Sequence, residues 1–155
     1  MDVKTSFLHR DLEEEIYMKQ PEGFAVKGKK ELGKLKKSLY GLKQSPRMWY
    51  QKFDTFIRGI GFTKSKADHC VYFKLISDRV IYLVLYVDDM LLVGNDKEII
   101  QDLKTQLSSK FDMKDLGAAN YILGMEIKRD QVKRKLWLNQ RKYVKTILQR
   151  LNMQG

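Results

Sequence analysis

The sequence predicts an α+β fold, on three observations. Three stretches carry apolar residues at helical spacing, and several short runs are rich in β-branched and aromatic residues. The two kinds of segment mix without the strict strand–helix–strand alternation of a parallel sheet. With 155 residues and 43% hydrophobic content, the chain has the size of one domain and enough apolar side chains for a core.

In chain order, residues 2–8 have the composition of a short strand. The acidic cluster Asp11-Leu12-Glu13-Glu14-Glu15 suggests a turn or one helical turn, and Glu15-Ile16-Tyr17-Met18 alternates like a strand before the turn signal Pro21-Glu22-Gly23. Residues 26–37 are lysine-rich with Gly28 and Gly33, and read as an exposed loop or hairpin. A helix is expected over about 45–60, with Ser45 as N-cap and Pro46 in the first helical position. Its inner face is Trp49, Phe53, Phe56, Ile57 and Ile60, and Gly59 and Gly61 stop it. Two apolar runs, Cys70 to Ile76 and Val80 to Tyr86, flank Ser77-Asp78-Arg79 as a hairpin signal; Met90 to Val93 makes a second hairpin with Asp88-Asp89 at its tip. Gly94-Asn95-Asp96 then ends the run, and residues 97–110 read as a helix with Ile99, Ile100, Leu103 and Leu107 inward. Residues 121–127 read as one strand interrupted by Gly124, and residues 136–138 as a short strand. Residues 140–152 read as an amphipathic helix with Tyr143, Val144, Ile147, Leu148 and Leu151 inward.

Thirty Lys and Arg against nineteen Asp and Glu give a net charge of +11, which predicts attraction to a polyanion: nucleic acid, or an acidic membrane surface. No apolar run reaches the roughly 18 residues of a membrane span, and no signal peptide is recognisable. A single cysteine, Cys70, excludes an internal disulfide and fits a reducing compartment, so an intracellular location is expected, without distinguishing cytoplasmic particle from nucleus. His69 and Cys70 have no companions at zinc spacing and read as structural. The strand-like start and abrupt helical end suggest a fragment of a longer polypeptide.

The Tyr86-Val87-Asp88-Asp89 tip is the candidate for chemistry. Adjacent carboxylates repel when both are ionised, and a divalent cation between them removes that cost. Hard oxygen ligands of this kind suit Mg²⁺. If the strand carrying Asp2 pairs beside the hairpin, Asp2, Asp88 and Asp89 converge into a set able to hold two metals for phosphoryl transfer. An Asp-Asp pair is also a common solvated turn, and the residues alone leave both readings open.

Longer strings point to a family. From residue 2 onward the chain resembles the reverse transcriptase of copia-type LTR retrotransposons, in DVKTSFL at 2–8, DLEEEIYMKQPEGF at 11–24 and KLKKSLYGLKQSPRMWY at 34–50. The resemblance continues through DHCVYF at 68–73, LYVDDMLLVG at 85–94, FDMKDLGAANYILGMEI at 111–127 and LWLNQRKYVKTILQRLNM at 136–153. It implies a polymerase palm, a ferredoxin-like antiparallel sheet with packed helices, over about residues 1–127, with part of the fingers and the start of a thumb or connection at about 136–155. It also implies RNA-directed DNA polymerase activity with two Mg²⁺ ions (Mn²⁺ as a substitute), a template, a primer and deoxynucleoside triphosphates, and a parent Pol polyprotein bearing RNase H and integrase.

Residue by residue, the resemblance implies that Asp2, Asp88 and Asp89 are catalytic and bind the metals, with the Val3 carbonyl assisting. Phe7 becomes the aromatic that excludes a 2′-hydroxyl, and Tyr40, Gly41, Ser45 and Pro46 line the nucleotide pocket. Tyr86, and Leu123-Gly124-Met125 as a primer grip, lie against the primer. Lysines 29, 30, 34, 36 and 37 suit phosphate contacts or simply a soluble face. His9-Arg10 departs from the small or polar pair usual in the family. The alternative expectation is a catalytically inert retrotransposon-derived fragment with residual nucleic-acid binding; another palm-type polymerase fits the long strings less well.

Overall fold

The computed structural model describes residues 1–9, 12, 14–24, 28 and 32–153. Two compact units are present, Met1–Asp115 and Leu116–Gly155. The class is α+β, with every strand pair antiparallel.

The first unit runs β1 (Asp2–Val3), a 3-10 turn (Ser6–His9), β2 (Tyr17–Lys19), β3 (Leu32–Lys34), α1 (Ser45–Gly59) and β4 (Thr63–Lys64). It continues through β5 (Val71–Ile76), β6 (Arg79–Tyr86), β7 (Asp89–Gly94), α2 (Lys97–Lys110) and β8 (Met113–Lys114). Six of these strands form one sheet in the order β4-β5-β6-β7-β1-β8, and β2 with β3 makes a separate hairpin. Alternation along the sheet sends Ile81, Leu83 and Leu85 of β6, Tyr72 of β5, Met90 of β7 and Val3 of β1 to one buried face. Trp49, Phe53 and Ile57 of α1 and Leu103 and Leu107 of α2 belong to the same core, with Phe62 and Phe111. Five of the rings interlock: Phe111 meets Trp49 edge-on at 5.2 Å between centroids and Phe56 at 5.3 Å, and Phe53 meets Tyr72 at 5.7 Å.

Several expectations need correction. The strand expected over 2–8 ends at Val3, because Thr5 takes a φ of 52° and the Leu8 N–H turns back to the Thr5 carbonyl at 2.8 Å. Ser45 is not the cap of α1. Gln44 holds that position without a side-chain bond, while the buried Ser45 hydroxyl donates to the Leu39 carbonyl at 2.7 Å and pairs with Ser38 Oγ. By contrast α2 has a side-chain cap. Asp96 accepts from the N–H groups of Glu98 at 2.8 Å and Ile99 at 3.2 Å, and its carboxylate also pairs with Arg79. Of the lysine-rich stretch, Leu32–Lys34 pairs with Tyr17–Lys19, and Lys34 is ion-paired to Glu15. Asp11, Glu13, Lys29 and Lys30 lie outside the described residues.

A polar cluster ties α1 to the sheet. Asp54 accepts from the Tyr72 hydroxyl at 2.9 Å, pairs with Lys64 at 2.9 Å and faces Arg58 at 3.6 Å. Burial pushes the Asp54 carboxyl up, but the bonds from Lys64 and Tyr72 and the charges of Lys64 and Arg58 together outweigh it and hold the carboxyl below its usual range.

The second unit holds β9 (Tyr121–Ile122), β10 (Met125–Asp130), β11 (Lys135–Asn139) and α3 (Arg141–Arg150), with sheet order β11-β10-β9. The single interrupted strand expected at 121–127 is instead a tight hairpin. Ile122 pairs with Met125 across Leu123 and Gly124, which take φ of 50° and 78°, the double left-handed signature of a type I′ turn. The α3 face expected inward is largely open: Tyr143, Val144, Leu148 and Leu151 are all exposed. A unit of some forty residues has too little interior to cover such a helix. No described helix is long and apolar enough to cross a membrane.

Candidate functional site

Strand register decides where the acids meet. The β6–β7 connection is a two-residue turn, Val87-Asp88, with Tyr86 paired to Asp89, so Asp89 opens strand β7 and only Asp88 sits in the turn. Val87 has φ of 57°, a left-handed value at the first turn position that is normally given to glycine in a II′ turn. A β-branched residue there stores strain on the order of 1–3 kcal/mol.

Two bonds brace the turn. The Trp49 indole N–H donates to the Val87 carbonyl at 2.6 Å, and the Val3 N–H donates to the Asp88 carbonyl at 2.9 Å. A third bond, from the Met90 N–H to the Met1 carbonyl at 2.8 Å, completes the ladder around the Asp2–Asp89 pair. Bonds that bracket a pair in this way leave it non-hydrogen-bonded, the narrow kind in which facing side chains lie closest, with Cβ atoms about 4.5–5.5 Å apart. Val3 and Met90 point into the core, so Asp2 and Asp89 project from the opposite face of the sheet. The strand pairing expected of Asp2 is therefore present at the backbone. Among the described residues, no three His, Cys, Asp or Glu side chains are already closed into a metal-holding group.

The amino group of Met1 lies beside these acids and donates to the Met90 carbonyl at 2.8 Å. Burial lowers its pKa, against the opposing pull of Asp115, Asp89 and Asp2.

A second group of expected site residues gathers around the 3-10 turn. The Phe7 ring lies 4.5 Å from the Tyr40 ring, and the buried Ser6 hydroxyl is 3.3 Å from the Tyr40 hydroxyl. Tyr40 is 54% exposed, so one side of this pair faces solvent. Gly41 takes φ of 98° with open space around its α-carbon, so it serves the turn rather than a close approach. Ser45 is buried and spent on Leu39 and Ser38, while Pro46 is exposed. Tyr86 is exposed beside the acids. In the second unit, Leu123 and Gly124 form the exposed hairpin turn and Met125 is half-buried. His69 is exposed and its carbonyl accepts from Tyr50 at 2.8 Å, while burial pushes the Cys70 thiol up; among the described residues neither belongs to a group of three side chains able to hold a metal. Helical spacing marks Trp49 only as a core residue; no periodicity signals its indole bond, since only the fold brings residue 87 to it.

The family model for reverse transcriptase (RNA-dependent DNA polymerase) matches residues 1–155. This chain belongs to the reverse transcriptase family. It is 60% identical, over its whole length, to 12% of the retrovirus-related Pol polyprotein from transposon TNT 1-94 of Nicotiana tabacum. It is 39% identical, over 99% of its length, to 10% of the Pol polyprotein from transposon RE1 of Arabidopsis thaliana. It is also 33% identical, over 83% of its length, to 11% of a truncated transposon Ty1-A Gag-Pol polyprotein of Saccharomyces cerevisiae. The chain thus spans about a tenth of the length of these relatives. No solved structure matches it significantly.

Proposed function

We propose that the first unit is the palm of an RNA-directed DNA polymerase, and that Asp2, Asp88 and Asp89, with the Val3 carbonyl, hold two divalent cations. The observation that carries this is the register of β1 against β7, which sets two carboxylates face to face in a narrow pair next to a third in the turn. Like charges directly opposed across strands destabilise a sheet, so the arrangement makes sense when a cation is shared. The donor set is all oxygen, which fits Mg²⁺. When bound, Mg²⁺ would supply acidification of a primer 3′-hydroxyl and charge neutralisation at a leaving pyrophosphate.

The chain's own residues would do the rest. The braced turn fixes Asp88 and Asp89, and the β1 ladder fixes Asp2. Phe7, packed at a tilt against Tyr40, would present a rigid ring beneath the sugar of an incoming deoxynucleotide, leaving no room for a 2′-oxygen. Tyr86 would lie against the primer terminus. The second unit would act as primer grip, through the Leu123-Gly124-Met125 turn, and as the start of a thumb. Its nine basic against two acidic residues suit phosphate contacts on template and primer.

The test is extension of a DNA primer on an RNA template with Mg²⁺ and deoxynucleotides, by this chain and by its Asp88→Asn variant. Synthesis that Asp88→Asn abolishes supports the assignment. Synthesis that survives the substitution refutes it.

A further inference from the structure

The indole bond to the turn has a role beyond core packing. Trp49 is 2% exposed, wedged against Phe53 at 5.8 Å and Phe111 at 5.2 Å between ring centroids. Its position is thus set by rings of α1 and of the residue that closes α2, in addition to its bond to the turn. Val87, by contrast, is 46% exposed and sits in a backbone conformation that a β-branched residue disfavours. Left to itself, such a turn relaxes toward negative φ, and turns of that type splay the strands they join. The two residues that would then move are Asp88, which follows Val87 directly, and Asp89, which opens the next strand.

We infer that Trp49 is a positioning residue: by donating to the Val87 carbonyl it clamps the 87–88 peptide and holds the turn in the one conformation that keeps Asp88 and Asp89 beside Asp2. This rests on the metal-site reading above. Trp49 touches neither metal nor substrate; it acts only through the turn. The bond reaches from the helix to the strained residue, so it passes the stiffness of the core to the site.

The discriminating variant is Trp49→Phe, which keeps an aromatic ring and loses the N–H. The readouts are Mn²⁺ affinity, followed by the paramagnetic resonance of free Mn²⁺, and hydrogen exchange of the Val3 amide, which reports the bond to Asp88. Losing one hydrogen bond of this kind is expected to weaken Mn²⁺ binding about 5-fold to 10-fold and to speed Val3 exchange by a similar factor. Adding Val87→Gly should restore most of the affinity, since glycine takes positive φ without needing a brace. Should Trp49→Phe fail to fold, 3-benzothienylalanine at position 49 keeps the two-ring shape while replacing the N–H by sulfur, and the same losses are expected. If the bond merely satisfies the indole, either replacement will leave Val3 exchange and Mn²⁺ affinity as in the parent, and the inference is overturned. It is also overturned if Val87→Gly brings no recovery. An unaltered chain that binds no Mn²⁺, or an Asp88→Asn variant that binds it equally well, would sink the metal-site reading instead; Val3 exchange would still judge the clamp.

Discussion

Replacing Asp2 by asparagine should stabilise the metal-free protein, although it removes a residue proposed for the site. The opposed pair Asp2–Asp89 places the Cβ atoms of two acids about 5 Å apart, and the carboxylates are taken at a similar separation. Their repulsion is about 0.8 kcal/mol in a water-like medium and about 3 kcal/mol at an effective dielectric of 20. Asp89 is exposed and Asp2 half-buried, so the low end applies. The expected gain from Asp2→Asn is about 0.5–1 kcal/mol, or roughly 1–4 °C in melting temperature for a chain of this size. The measurement belongs at about pH 9, where the Met1 amine, its pKa lowered by burial, is neutral and adds no compensating attraction. In chelator, Asp2→Asn should melt above the parent. With Mg²⁺ at about ten times its dissociation constant, the parent should gain about 1.4 kcal/mol and the variant clearly less, so the order reverses or closes. A variant that melts lower in chelator, or that gains as much from Mg²⁺ as the parent, would refute the reasoning from register to shared cation.

Other outcomes follow from the core and its ionisable groups. Phe53→Ala, at a fully buried ring contacting Trp49, Tyr72 and Phe111, should cost about 3–5 kcal/mol in urea unfolding. Asp54→Asn should cost about 1–3 kcal/mol, because Tyr72 and Lys64 lose a charged acceptor. The Asp54 carboxyl is held low in the folded state, so its contribution is present above the unfolded value of about 3.9 and disappears as pH falls through the folded value. The Met1 amine runs the other way from a stabilised cation: its folded pKa is lowered, the unfolded chain binds the proton more tightly, and stability should rise with pH up to about 8. Acetylating that amine should flatten the rise, as followed by urea unfolding between pH 6 and 8.5.

Much of the fold was legible because it is local. The α2 helix falls on the expected Lys97–Lys110, with Leu103 and Leu107 buried, since apolar spacing acts within a few residues. The two hairpins from Val71 to Gly94 were equally visible in their apolar runs. What escaped depends on distant partners. Strands β4 and β8 are two residues each and exist only through the ladders they join. The run at 2–8 has strand composition throughout, yet the turn at Thr5 ends the strand at Val3. Ser45 has every attribute of a cap, but a buried hydroxyl partner at Ser38 claims it. Position 123 carries leucine in a left-handed turn where only Gly124 announced one. For the candidate site, the acids were named by resemblance to a family, while their face-to-face register needed the sheet.

The two-residue length of β1 also bears on the order of assembly. The strands from Val71 to Gly94 close through two-residue turns, so they can zip locally and early. Strand β1 reaches β7 only by closing a loop of more than eighty residues, and β8 reaches β1 only after a longer one. Loop closure is paid for when few contacts repay it, so this edge of the sheet should dock late and detach early. Asp2 rides on that edge. Its arrival beside Asp89 therefore marks completion of the unit, and a partly folded chain would carry the turn acids without their third companion.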